Sequence, residues 1–247
     1  MMDKIKLLNK WINESDNIVF FGGAGVSTES GIKDFRSKDG LYNMHYKYPP
    51  EKILSHIFFM NYPEEFFKFY KDKMNCLSAK PNIVHKYLQN LEKFGKLKAI
   101  VTQNIDNLHT EAGSKNVFEL HGNINRNYCM KCHKFYDGAF VFNSVEVPTC
   151  SCGGVIKPDV VLYQEQLNSE IINKSIEAIS KCDLLIVAGT SLTVYPTSSF
   201  ISYYRGDKMV IINNDATEYD RIADLVINES LKELFVKLQN YTKSTLN

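Results

Sequence analysis

No run in this 247-residue chain stays apolar for the roughly 20 residues that cross a bilayer. No block of like charge interrupts it either: 29 lysines and arginines face 28 aspartates and glutamates, a net charge of +1. That balance argues against a polyanion-binding surface as the main function, so neither a membrane nor direct nucleic-acid binding is expected. Internal repeats and low-complexity tracts are lacking too. The N-terminal MMDKIKLLNKWINESD has neither the apolar core nor the small-residue cleavage site of a secretion signal. Its Ile5, Leu8, Trp11 and Ile12 fall at helical spacing instead, which predicts a folded amphipathic helix and a cytoplasmic protein. Hydrophobic residues make up 44% of the chain, enough for a sizeable core in one large domain, with room for a smaller inset module.

Short apolar runs alternate with helical patterns. Residues 18–21, 97–101, 117–120, 184–188, 209–212 and 225–227 read as buried strands, and 63–74, 82–94, 169–181, 196–204 and 230–241 as helices. Such alternation predicts an α/β fold, a Rossmann-like parallel sheet with helices on both faces. Ligands of such sheets bind beyond the carboxyl ends of the strands, where this chain gathers Gly, Asn, Asp, Thr and His. Between 36 and 63 lies an aromatic stretch (Tyr42, Tyr46, Tyr48, Phe58, Phe59) broken by Pro49-Pro50. It reads equally well as a loop with short helices over a cleft or as an irregular piece of core.

Two stretches carry chemistry. The first is 18–36, IVFFGGAGVSTESGIKDFR. A buried strand runs into Gly22, Gly23 and Gly25, after which Ser27 and Thr28 can cap a following helix whose free N–H groups and dipole attract an anion. Together these make a phosphate cradle, the plain alternative being a tight turn. Thr28 stands where the G-x-G-x-x-G dinucleotide fingerprint wants its third glycine. The following Asp34, Phe35 and Arg36 are harder to explain as a turn. The second stretch holds Cys129 and Cys132, then seventeen residues, then Cys150 and Cys152. C-x2-C followed by C-x-C points to a structural zinc module, whose four thiolates leave no open position for chemistry. The tight second pair keeps His133 open as a substitute ligand. Cys76 and Cys182 have no spaced partner and are expected in the core.

The run from Gly23 to Arg36 resembles the first signature, GAGxSxxSGIxDFR, of the sirtuin (Sir2-like) family of NAD-dependent protein-lysine deacylases, bacterial type. In the family's order there follow TQNID at 102–106, His121-Gly122, KPDVVLYQE at 157–165, Gly189-Thr190-Ser191-Leu192 with Val194 and Pro196, and Asn213. The resemblance implies NAD as co-substrate and zinc as a structural ion. It assigns NAD to Gly23, Ala24, Gly25, Thr28, Asp34, Phe35, Arg36, Gln103, Asn104, Ile105, Asp106, His121, Gly189, Thr190, Ser191, Asn213 and Asp215. His121 would be the catalytic base, with Asn104 catalytic beside it. An acyl-lysine peptide would lie as an added strand against Val161, Leu162, Tyr163 and Val194, with Phe35 and Val161 lining the acyl-lysine tunnel. Gln164 departs from the family, which commonly has glycine there. The implied organisation is a discontinuous NAD-binding domain (1–36, 81–122 and 159–247), a helical cofactor-loop insertion (37–80) and a zinc-binding module (123–158).

The activity so implied is deacylation of acyl-lysine in proteins or peptides, giving free lysine, nicotinamide and O-acyl-ADP-ribose. Sirtuins that prefer acidic acyl groups carry a Tyr-x2-Arg pair in the aromatic stretch, and no arginine occurs here between Arg36 and Arg126. Acetyl, and longer neutral chains after it, are therefore the expected groups. Protein ADP-ribosylation is the alternative. A dehydrogenase would need a second strand bearing an acidic residue near 39–48, which is an aromatic, charged loop. A non-catalytic NAD-responsive module would not need Asn104, Asp106 and His121 together.

Overall fold

Five successive buried residues make Ile18–Gly22 a strand with no wet face, and the rest of the chain is built outward from it. A computed structural model of the protein describes residues 3–34 and 46–245. Ahead of that strand, β1, lies α1 (Lys4–Glu14), which starts where the Asp3 carboxylate accepts the Ile5 N–H and which buries Ile5, Leu8 and Ile12. After it come α2 (Pro50–Ile53), α3 (His56–Asn61), α4 (Pro63–Lys73), α5 (Ile83–Lys93), β2 (Leu97–Thr102), α6 (Leu108–Glu111) and β3 (Val117–Glu119). Next are β4 (Gly122–Cys129), β5 (Phe135–Tyr136), α7 (Gly138–Asn143) and β6 (Ile156–Val160). The chain closes with α8 (Ser169–Lys181), β7 (Leu184–Ala188), β8 (Met209–Ile212), β9 (Leu225–Ile227) and α9 (Leu231–Thr245).

Six strands form one parallel sheet in the order β3-β2-β1-β7-β8-β9. The chain moves outward from β1 on one side, then returns to β7 and moves outward on the other. The direction of winding reverses between β1 and β7, which opens a crevice at their carboxyl ends. Alternate residues of β1 serve opposite faces. Ile18 and Phe20 pack with Leu8 of α1, Leu88 of α5 and Leu234 of α9. Val19 and Phe21 pack with Ile179 of α8 and with Phe200. The expected α/β sheet, covered on both faces, is present.

Strands β5-β4-β6 form a separate antiparallel sheet. Against it pack the helices α2 to α4 in an aromatic cluster, where Tyr70 stacks on Phe142 at 5.3 Å and on Phe66 at 5.5 Å. Phe58 and Phe59 are buried in that cluster, with Tyr46 and Tyr48 packed against it, so this part of the aromatic stretch is core. Cys182 is buried and Cys76 half-buried, as expected of core thiols.

The expectation of a helix after the glycine turn is not met: Ala24–Val26 and Thr28–Ser30 are two short 3-10 turns. Ser27 makes no cap bond, because its hydroxyl is given to Asp106, 79 residues further on. The predicted helix over 196–204 is likewise 3-10, from Thr197 to Tyr203.

The two sheets meet at His121-Gly122. Gly122 has φ +80°, and a Cβ there would fall on the Asp159 carbonyl of β6. Gly122→Ala is expected to cost at least about 3 kcal/mol, from left-handed strain added to backbone displacement. A urea midpoint equal to that of the parent chain would contradict this.

Candidate active site

The carboxyl end of β1 is glycine-rich because another backbone lies against it. Gly25 N–H donates to the Gly189 carbonyl at 2.8 Å, and Gly23 N–H to the Ala188 carbonyl at 3.2 Å. A Cβ at Gly25 would stand 2.8 Å from Gly189 Cα, and one at Gly23 would stand 2.7 Å from Thr190 Cβ. The close approach that these glycines permit is thus between the loops after β1 and β7, which together floor the crevice. Ala24 is half-buried; Thr28 is exposed, its hydroxyl on the Gly25 carbonyl at 3.0 Å; Asp34 is half-buried. Phe35 and Arg36 lie outside the described residues.

The loop after β2 is tied to this floor. Gln103 N–H donates to the Gly22 carbonyl. Asn104 Nδ2 donates to Ser27 Oγ at 3.0 Å, and Ser27 Oγ donates to Asp106 Oδ2 at 2.6 Å. Leu108 N–H takes the other Asp106 oxygen at 2.9 Å. Burial pushes the Asp106 carboxyl above its ordinary range, against the hydrogen bonds from Ser27, Leu108 and Asn104. Ile105, half-buried, accepts Ile124 N–H at its carbonyl and so joins the loop to β4.

His121 follows β3 and faces the same loop. Its Nδ1 is 2.9 Å from the Gln103 carbonyl oxygen. A carbonyl can only accept, so Nδ1 carries the proton and Nε2 keeps its lone pair. Burial holds the imidazole below its ordinary pKa, against the opposing pull of the Gln103 bond, and the ring is neutral near pH 7. A neutral imidazole of fixed tautomer at the edge of a crevice can act as a general base. The His121 carbonyl accepts Val161 N–H at 3.0 Å, linking the ring to the end of β6. His85 and His109 are buried with ring centroids 4.6 Å apart.

On the far side, Asn213 Oδ1 accepts Thr190 N–H at 2.9 Å, and Ser191 and Thr193 hydroxyls lie 2.9 Å apart. Asn213 Nδ2 and Gln103 Nε2 are buried without a partner among the described residues. Two orphaned amide donors at strand ends suit a ligand rich in oxygen acceptors, as a dinucleotide is. Asp215 is exposed further along the loop after β8.

Of the expected peptide-contacting residues, Val161 and Val194 are half-buried and Tyr163 is exposed, whereas the Leu162 side chain is buried in the aromatic core. Main-chain groups here are largely spoken for. Leu162 N–H goes to Glu165 Oε2 and its carbonyl to Glu165 N–H; Tyr163 N–H goes to Leu54 and its carbonyl accepts from His56. Gln164 has φ +75°, the left-handed region that explains a preference for glycine at this turn. Ser27 was missed as a site residue, since no local signal betrays a hydroxyl whose partner is so distant in sequence.

The four cysteines converge. Their sulfurs all lie within 4.8 Å of one another, with Cys129 to Cys152 at 3.5 Å and Cys132 to Cys150 at 3.6 Å. Tetrahedral zinc, at about 2.3 Å from each sulfur, sets thiolates roughly 3.8 Å apart, so the set fits a structural zinc site. Both members of the tight pair take part. His133 stands outside the cluster, exposed and at φ +59°. Among the described residues no helix is long and apolar enough to cross a membrane.

Comparison with known proteins agrees with this geometry. The model of the Sir2 family matches residues 23–196. The NAD-dependent protein deacetylase of Clostridium perfringens (strain 13 / Type A) is 57% identical over 96% of this chain and 99% of its own length. That of Cutibacterium acnes (strain DSM 16379 / KPA171202) is 48% identical over 94% of this chain and 96% of its own. Among solved structures, Sir2 with a p53 peptide and NAD+ aligns with a TM-score of 0.85 at 37% identity, covering 98% of this chain and 100% of that one. A Sir2 variant with deacetylated p53 peptide and 3'-O-acetyl-ADP-ribose aligns at 0.88 and 38%, covering 97% and 98%.

The purified protein is expected to carry one zinc per chain by elemental analysis. Cys150→Ala should lose it and melt well below the parent, because metal affinity is folding free energy here. A Cys150→Ala protein with full zinc content would remove that cysteine from the site.

Proposed function

The chain belongs to the Sir2 family, and from that membership we infer that it is an NAD-dependent protein deacetylase. It removes acetyl groups from acetyl-lysine in proteins or peptides and yields free lysine, nicotinamide and O-acetyl-ADP-ribose. The observation that carries the chemical assignment is His121, with Nδ1 committed to the Gln103 carbonyl and Nε2 left as base. Protein ADP-ribosylation is not favoured, since the curated relatives at 57% identity are deacetylases. A cytoplasmic location is part of the proposal, as is the division into an NAD-binding domain, a helical insertion and a zinc module.

The residue roles follow from placement. Bound NAD supplies a ribose carbon at which the bond to nicotinamide breaks as the acetyl oxygen takes its place. Gly23, Ala24, Gly25, Gly189, Thr190 and Ser191 would hold the pyrophosphate and its ribose on the floor between β1 and β7. Asn213 Nδ2 would take a hydroxyl of the adenosine ribose, with Asp215 beyond it. Asn104, Ile105 and Asp106 would hold the nicotinamide end, where a buried carboxylate accepts a carboxamide N–H. Gln103 keeps His121 in its tautomer, and Thr28, Asp34, Phe35 and Arg36 would also contact the cofactor. His121 Nε2 would accept the proton of a ribose hydroxyl, directly or by relay, so that the oxygen can attack the acetyl carbon. Val161 and Phe35 would line the acetyl-lysine tunnel, with Val194 on the opposite side of the peptide. A dry site is needed because water would intercept the activated sugar.

Mass spectrometry of an acetyl-lysine peptide is expected to show a loss of 42 Da (about one acetyl group) only when NAD is present, with nicotinamide released. His121→Ala should lower kcat by about 10²–10⁴-fold with the fold intact by circular dichroism. The base must be neutral, and its folded pKa lies below the ordinary 6.5; kcat/KM is therefore held as pH falls to that value and declines only below it. A His121→Ala protein with undiminished turnover, or an acid limb above about pH 7, would remove the ring from this role.

With no arginine between residues 36 and 126 to pair with a carboxylate, a succinyl-lysine peptide should react at least about tenfold more slowly than its acetyl counterpart. Equal turnover of the two peptides would overturn the neutral-acyl preference.

A further inference from the structure

Glu165 has no part in the chemistry above, yet its carboxylate makes three hydrogen bonds beside the proposed peptide site. Oε2 accepts Leu162 N–H at 2.9 Å and Lys157 Nζ at 3.0 Å, while Oε1 lies 3.0 Å from His56 Nδ1. Its side chain is only 19% exposed. Against the cost of burial, the bonds from Leu162, His56 and Lys157 hold its carboxyl below the ordinary range. Lys157 in turn bonds the carbonyls of Pro158 and Val160, at 3.2 and 3.1 Å, so the carboxylate is fastened to the last turn of β6. The left-handed residue Gln164 folds the chain back to bring Glu165 under Leu162, and Gln164 Oε1 accepts Ile57 N–H at 3.2 Å. Together with the His56 N–H bond to the Tyr163 carbonyl, these contacts clamp the start of α3 to residues 163–165.

Along an extended chain neighbouring side chains point to opposite faces. Leu162 is buried in the aromatic core, so Val161 and Tyr163 take the other face, and a slip of one residue would exchange them. The Glu165 bond to Leu162 N–H sits at the residue whose direction decides this. We propose that Glu165 is a positioning residue for the acyl-lysine peptide, setting through Leu162 the face that Val161 and Tyr163 present to it. This rests on the reading of Val161, Tyr163 and Val194 as the peptide site.

The test is steady-state kinetics on the full chain, varying an acetyl-lysine peptide at saturating NAD and then NAD at saturating peptide. E165A should raise the peptide KM about tenfold, and E165Q, which keeps an acceptor oxygen for Leu162, about threefold. In both, kcat and the KM for NAD should stay within about twofold of the parent. K157M should raise the peptide KM as well, and K157M combined with E165A should be no worse than E165A alone, because the two act through one network. V194D is the control for the peptide site itself. If V194D raises the peptide KM and the Glu165 variants leave it unchanged, the proposal is overturned and the peptide site stands. If none of them moves it, the peptide-site reading falls too. Should E165Q lower kcat and shift both KM values together, Glu165 serves general stability and the proposal is also overturned.

Discussion

The hydrogen bond from His121 Nδ1 to the Gln103 carbonyl spans 2.9 Å and couples three parts of the molecule. Gln103 follows β2, and its own N–H is fastened to Gly22 at the end of β1. His121 ends the run from β3, and its carbonyl is fastened to Val161 at the end of β6. One imidazole therefore takes its position from the parallel sheet through its ring and from the antiparallel sheet through its main chain. Gly122 makes this possible: at φ +80°, with Asp159 pressed against the place of a side chain, it lets the chain pass from one sheet to the other in a single residue. Arg126 reinforces the joint from outside, bridging Glu119 at 2.6 Å and Asp159 at 2.7 Å. Half-exposed as it is, that pair of bridges adds geometry more than stability.

The crevice itself is made largely of neutral dipoles. Main-chain groups of the two glycine loops, the Ser191 and Thr193 hydroxyls and the free amide donors of Asn213 and Gln103 lie at the strand ends around it, and among the described residues Asp106 is its one buried carboxylate. A charge buried there is costly unless donors satisfy it, and the chain from Asn104 through Ser27 to Asp106 spends two side chains on that task. Burial and hydrogen bonding pull the Asp106 pKa in opposite directions, with burial ahead. Burial also lowers the pKa of His121, whose ring, with Nδ1 on the Gln103 carbonyl, is neutral near pH 7.

The parts of this arrangement legible in the sequence are those that short-range pattern controls. Four apolar residues, Ile18 to Phe21, announce β1, and the paired cysteines announce their cluster, whose tight pair Cys150 and Cys152 leaves His133 open as a substitute until the structure places it outside. The strand ends bring together the residues that the family motifs single out, because parallel strands with covering helices all finish on one edge. What escaped is governed by distant partners. Ser27 reads as a helix cap by local rules, and only the position of Asp106, on another strand end, shows why no helix follows. Gly23 and Gly25 read as room for phosphate, but the first backbone they make room for is that of Gly189. Leu162 reads as part of a substrate strand, and its side chain belongs to the aromatic core instead. Gln164 reads as a departure from glycine, yet it keeps the glycine-like conformation and uses its amide on α3.

A closed four-thiolate site performs no chemistry of its own, so its placement asks for a mechanical reason. Cys129 is the last residue of β4, and Cys150 and Cys152 lie just before β6. These are the two strands whose opposite ends carry His121 and Val161. β4 and β6 pair as antiparallel neighbours, Gly122 with Val160 at one end and Cys129 with Ile156 at the other. The ion would therefore clamp one end of a two-strand lever whose other end, on the order of 20 Å away at about 3.4 Å per residue, presents His121 and the proposed peptide site. A sheet of three short strands has little core to hold its register alone, even with the aromatic cluster of α4 packed against it. Loosening the cysteine end would free β4 and β6 to slip, and the first functional groups to feel it would be those that the His121 and Glu165 hydrogen bonds hold in place.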